Sequence, residues 1–183
     1  MNIMPFLVDW DEIVQRKAAG TLEAGLNEAM EDDVPWFQSL DVIPENDVLF
    51  TSTAEAYERM RTELPDDLRE QSDAFFNHLF TFQDYCQDVD LSSCGEWGEV
   101  FLLTFSPESV ARYKAAGDVL DFEQLREAFL SATDPDTRAA FAEWMEIEPD
   151  ESFENGFLPY LQSWRDGFEL AANAGKGIMI KWA

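Results

Sequence analysis

Three apolar stretches stand at the start, the middle and the end of a 183-residue chain: IMPFLV (Ile3–Val8), EVFLLTF (Glu99–Phe105) and GIMIKWA (Gly177–Ala183). Each is short, and the central one is rich in β-favouring aromatics, so each reads as a strand. The sequence between them carries helical spacing. Strands so few and so far apart do not build repeated βαβ units. The pattern predicts an α+β fold with a small mixed sheet, built from the N-terminal, central and C-terminal strands and packed by several helices. The apolar runs of the second and third strands predict that both faces of that sheet are covered. The length fits one domain, 1–183.

The helices announce themselves by their ends. Asp9 or Asp11 caps a helix that runs to Ala19, with Arg16 and Lys17 in its last turn and Gly20 as its stop. A second, short helix follows over Thr21–Met30. The stretch EDDVPWFQSLDVIPEND, with two prolines, reads as a loop. Ser52 or Thr53 caps a helix that ends before Pro65. A long helix is predicted from Asp66 to Gln87, with Leu68, Phe75, Phe76, Leu79, Phe82 and Cys86 at helical spacing. Ser106-Pro107 opens a helix that Gly117 closes, Asp121 and Gln124 form a capping-box pattern, and Asp134-Pro135 starts a helix through Met145. The last helix places Phe153, Phe157, Leu161, Trp164, Phe168 and Ala171 on one face, with Pro159 at its start or kinking it and Gly175 closing it.

The segments VLDFEQLREAF and ENGFLPYLQSWRDGFELAANAGKGIMIKW, together with the opening strand and helix, resemble the YfbM-like family of uncharacterised bacterial proteins. The matching residues are Leu125, Arg126, Phe129, Tyr160, Trp164, Phe168, Ala172, Gly175, Lys176 and the strand Ile178–Ile180. The likeness covers the last third to two-fifths of the chain plus its opening. It departs at Glu148-Pro149, where the family pattern has Tyr-Pro, and the middle of the chain shows no match. It is a pattern of core residues, so what it implies is a fold and not an activity.

Charge decides which partners are excluded. Thirty-eight Asp and Glu face twelve Lys and Arg, for a net charge of -26. Ten acids and no Lys or Arg lie between Ala18 and Glu58, and eight acids and no Lys or Arg between Glu70 and Ala111. Such a surface repels nucleic acid and anionic lipid by the Coulomb term that basic proteins use to bind them. Neither nucleic acid nor membrane is therefore expected as a partner. No apolar run approaches the ~20 residues of a membrane span, and the N-terminus lacks a basic signal-peptide region. The chain reads as soluble and cytoplasmic. The acidity itself has two readings: solubility, including adaptation to salt, or steering of a basic protein partner.

Candidates for chemistry are sparse. The twelve residues DVDLSSCGEWGE place Asp88, Asp90, Ser92 and Glu99 at the first, third, fifth and twelfth positions of a calcium loop. The sixth position, however, is Ser93 where such loops need Gly, and a strand follows where a second helix should. Cys86 and Cys94, the only cysteines, make no disulfide framework and read as structural thiols. His78, the one histidine, lies eight residues from Cys86, about 12 Å along a helix, too far for a hydrogen bond. No zinc ligand set and no nucleophile elbow occur, and no cofactor is called for. Close carboxylate pairs are too many to single one out.

Trp36 and Phe37, inside the acidic proline-containing loop, are the candidate binding residues: an exposed aromatic anchor ringed by acids suits a basic partner. The reading that follows is a non-enzymatic, protein-binding module, of the inhibitor or immunity type, for a basic partner. The alternative is an enzyme or small-ligand binder that uses an acidic cleft, with or without a metal. It requires a deep pocket lined by Asp or Glu together with His78 or a tryptophan.

Overall fold

The computed structural model describes residues 3–77, 79–80, 86–146 and 148–182. Strand β1 (Ile3–Val8) leads straight into helix α1 (Trp10–Ala19) because Asp9 ends the one and caps the other, its carboxylate accepting from the Glu12 N–H at 3.2 Å. Gly20, at φ 70°, takes the left-handed conformation that closes α1, and α2 (Leu22–Glu31) follows. A fourth strand then appears inside the predicted loop: β2 (Phe37–Ser39), three residues long.

Helices α3 (Asp47–Met60) and α4 (Asp66–Phe76) come next, then a short α5 (Trp97–Val100) and strand β3 (Phe101–Phe105). Helices α6 (Pro107–Asp118), α7 (Phe122–Ala132) and α8 (Pro135–Met145) start where the sequence places them. Ser106 accepts from Ser109 N, Asp121 from Glu123 N and Gln124 N, and Asp134 from Thr137 N. A 3-10 turn (Pro149–Glu151) and a π turn (Phe153–Phe157) lead without a break into α9 (Leu158–Ala174), whose first turn contains Pro159. Strand β4 (Gly177–Trp182) ends the fold.

The sheet order is β2-β1-β4-β3, and every strand pair is antiparallel. The three predicted strands therefore do come together, though in an antiparallel rather than a mixed sheet. The one parallel feature among the described residues is an isolated bridge between Gln87 and Thr104. Alternation along the strands sends Ile3, Leu7, Ile178 and Ile180 to one face and Val8, Phe37 and Met179 to the other. Strand β3 breaks the rule. Phe101 joins the second face while Leu103 and Phe105 join the first, because a bulge between Phe101 and Leu103 shifts the register from Lys181 to Ile180.

Both faces are covered, as the apolar runs predicted. The first carries the larger cluster, where Tyr57 stacks on Phe76 at 4.0 Å and Trp164 meets Phe80 at 5.6 Å. The second is closed by α1, α2 and the segment that ends at Trp97.

Several boundaries differ from expectation: Glu99 and Val100, predicted as strand, lie in α5, α3 ends at Met60, well before Pro65, and α6 runs through Gly117 to Asp118. Helix α3 begins earlier, because Asn46 caps it by accepting from Leu49 N at 2.9 Å, ahead of Ser52 and Thr53. Helix α4 stops at Phe76. Asn77 turns to ψ 146°, and Cys86 and Gln87, predicted as helical, instead lie beside β3, where Thr104 N donates to Cys86 O and Asp88 N to Thr104 O.

Candidate functional site

Phe37 is not the exposed anchor that its acidic surroundings suggested. It is 3% exposed and stacks on Phe6 at 4.4 Å, because β2 pairs with β1 and turns this side chain into the second core cluster. Trp36 is half-buried, and the Arg16 guanidinium lies 4.8 Å from its ring centroid. The pairing that buries Phe37 has a second effect. Asp9 N donates to Trp36 O and Leu40 N to Pro5 O, so Gln38 is the β2 residue whose main chain faces Leu7. The main chain of Phe37 and Ser39 points the other way, out of the sheet. Phe37 N returns to Val34 O. Ser39 N–H and C=O have no partner among the described residues.

The two ends of this open edge are acidic. Glu28, Glu31, Asp32 and Asp33 precede it, Asp41 and Glu45 follow it, and all six are exposed. Among the described side chains, no acid between residues 18 and 58 forms an ion pair. The pairs lie elsewhere, as Arg16–Glu12, Arg59–Asp134, Arg61–Asp73, Arg69–Asp66, Lys114–Asp118 and Arg126–Glu154. The opposite edge of the sheet, β3, is covered by residues 86–88.

The stretch Asp88–Glu99 is held as a clasp. Asp88 accepts from Ser106 N at 2.7 Å and from Ser106 Oγ at 2.6 Å, which ties it to the start of α6. Asp90 accepts from Ser92 N at 2.8 Å in a local turn. Lys17 Nζ on α1 donates to Ser93 Oγ at 2.7 Å, and Trp97 Nε1 donates to Asn27 Oδ1 on α2 at 2.8 Å. Positive φ falls on Gly95, the eighth position of the loop, and not on the sixth as a calcium loop requires. Glu99 lies in α5. Asp88, Asp90, Ser92 and Glu99 are thus spent on separate local structures. No group of three or more His, Cys, Asp or Glu gathers in a metal-holding arrangement among the described residues.

His78 lies outside the described residues. Cys86 and Cys94 are both free and buried. Burial, and then the Asp88 charge beside it, pushes the Cys86 thiol up to about 11, so it stays protonated and is no nucleophile at neutral pH. Burial alone would raise the Asp88 carboxyl, but hydrogen bonds from Ser106 and Ser109 outweigh it and hold the group below its ordinary value. A carboxylate so held is a fixed acceptor and not a base poised near neutrality.

Sequence reasoning missed one polar constellation. Asp73 accepts from Tyr57 OH at 2.6 Å and, bidentately, from Arg61 Nε and a terminal nitrogen at 2.6 and 2.7 Å. Burial works against its charge, yet these bonds hold the carboxyl below its usual value. Burial, with Asp73 next, raises the Tyr57 hydroxyl. The spacing of Tyr57, Arg61 and Asp73 was the available signal, since it places them on the facing ends of two helices. Saturated in this way, the group joins α3 to α4 and has no reactive atom left over.

The surface of the described residues includes two depressions beside acidic side chains. One, of about 540 Å³, runs along α9 beside Asp166, Glu169, Leu170, Asn173 and Ala174. The other, of about 270 Å³, lies between the α3–α4 turn and α7, beside Glu63, Pro65, Gln124 and Glu127. Neither is lined by a tryptophan. No helix of the described residues is long and apolar enough to cross a membrane. No protein-family model matches the chain, and no curated protein or solved structure is significantly similar to it.

Proposed function

We propose that this chain is an acidic protein-binding module whose partner is a basic protein, in an inhibitory or immunity-type role. The observation that carries this reading is the distribution of unpaired charge. Glu28, Glu31, Asp32, Asp33, Asp41 and Glu45, which flank β2 in the chain, are exposed and form no ion pair among the described residues, while other acids of the fold are tied into ion pairs. Uncompensated carboxylates gathered in one stretch of surface raise the local concentration of a cationic protein and speed its encounter, at low salt above all. The polar constellations that chemistry would need, around Asp73 and Asp88, are internally satisfied and hold helices together. The YfbM-like kinship belongs to the same proposal. It is supported by the C-terminal pattern, whose Leu125, Phe129, Tyr160, Trp164 and Phe168 are all core residues.

The test is capture from a native lysate on the immobilised chain at low salt, followed by elution in a salt gradient. The expected result is one basic protein retained in a fixed ratio, released by salt, and lost when Asp32, Asp33 and Asp41 are all changed to Asn. Recovery of nothing at low salt, or of the same proteins by the triple variant, would overturn the reading.

A further inference from the structure

We propose that the outer edge of β2 is the docking line, and that a basic, extended segment of the partner adds there as a fifth strand. This inference rests on the proposed function and says where and how the partner is held. The geometry supplies a template. Ser39 N–H and C=O point out of the sheet and have no partner among the described residues, while Phe37 is already bridged by Val34 on that side and, at the other edge of the sheet, Thr104 of β3 is bridged by residues 86–88. An incoming strand would pair with those groups as β1 pairs with Gln38 on the inner side.

Charge commits the edge to one occupant. A lone open edge invites a second copy of the same chain, and proteins block that pairing with a short strand and like charges. Here the strand is only three residues long. Its flanks carry Glu31, Asp32 and Asp33 on one side and Asp41 and Glu45 on the other, all exposed. Two copies, each with a net charge of -26, would bring these flanks together and repel. A strand bearing Lys or Arg would meet the same flanks as counter-charges. Ser39 alone offers open main-chain groups, too few to bind without help, so the acids must supply the rest, and the edge accepts a basic segment while rejecting neutral or acidic ones. Two cations lie close to this edge: Arg16 is paired with Glu12 at 2.7 Å and faces the Trp36 ring, and Lys176, whose Nζ donates to the neutral Gln38 Oε1 at 3.4 Å, keeps its charge but is outnumbered by the five flanking acids.

The probe is an alternating Lys–Val heptapeptide, titrated into the full chain at about 20 mM salt and followed by backbone amide shifts. The expected result is a shift centred on residues 37–39 and an affinity lowered about tenfold by Ser39→Pro. Pro at this position removes the outward N–H, together with the hydroxyl that donates to Asp41, and leaves the β1 ladder intact. Because that variant alters the protein, a second measurement leaves the protein untouched: the same peptide N-methylated at alternate residues keeps its charge but loses one row of donors, and it should bind about tenfold more weakly. Equal binding by both peptides, or shifts centred away from β2, would overturn edge docking and leave the acidic-module reading standing. No binding by either peptide would overturn both.

Discussion

On one face of the sheet, β1, β3 and β4 meet a cluster of fully buried rings, among them Tyr57, Phe76, Phe80, Tyr113, Tyr160, Trp164 and Phe168. On the other, they meet α1, α2 and the Asp88–Glu99 clasp, and the cluster there is small, with Phe6, Trp10 and Trp36 only partly covered. The first face is held by area, since each fully buried side chain of this size contributes roughly 1.5–3 kcal/mol. The second leans on a few side-chain bonds, Lys17 to Ser93 and Trp97 to Asn27, which cross between elements far apart in the chain. The same strands thus carry two kinds of adhesion, one spread over many contacts and one concentrated in a few. The open edge with its acidic flanks borders the second kind.

The largest expected effect lies in the first face. Trp164→Ala should cost about 3–5 kcal/mol in urea denaturation, since the ring is fully buried among Phe50, Phe80 and Tyr160. A loss under about 1 kcal/mol would erase the distinction between the faces. Next comes Gly177→Ala, on the second face. A Cβ there would lie 2.7 Å from both Phe105 O and the Trp10 ring, and the backbone oxygen cannot move aside cheaply. The expected cost is about 1–3 kcal/mol, read from the melting temperature and the loss of the Val8 rung.

Asp73→Asn follows, at about 1–2 kcal/mol near neutral pH, because Arg61 is left with a poorer acceptor but is partly solvated. The sign of its pH dependence is fixed. The folded carboxyl is held below its unfolded value of 3.8, so its contribution is full above that pH and is lost as pH falls through the folded value. The gap between wild type and variant should therefore close below about pH 4. The smallest change is Trp97→Phe, about 1 kcal/mol for the bond to Asn27. Its sharper signature is in native-state hydrogen exchange. Amides of α1 and α2 should exchange faster while those of α9 stay unchanged. A uniform rise across both faces would show that they open as one unit.

What the sequence revealed divides along physical lines. Caps and stops were legible because they are local: Ser106-Pro107, Asp134-Pro135, Gly20 and Gly175 each act within a few residues. The three long strands were legible because their apolar runs exceed what a loop tolerates. Strand β2 was not, since three residues have no period of their own and Phe37 is buried only through pairing with β1, whose sequence lies far upstream. The bulge that splits Phe101 from Leu103 leaves no mark in the run FLLTF. The stop at Phe76 was hidden because Leu79 and Cys86 continue the helical spacing while the chain itself turns away. As for the site, the acid runs were plain and their exposure followed. The open edge between them is a property of the sheet order, which no single stretch encodes.

That order puts Ile3 opposite Trp182 on the two central strands. Tension applied at these two positions would load the ladder from one end, so its rungs would break in succession instead of sharing the load in shear. Such a fold should give way to pulling at low force however well it resists heat. Conversely, a short peptide joining the two positions would close the chain on itself and leave every rung in place.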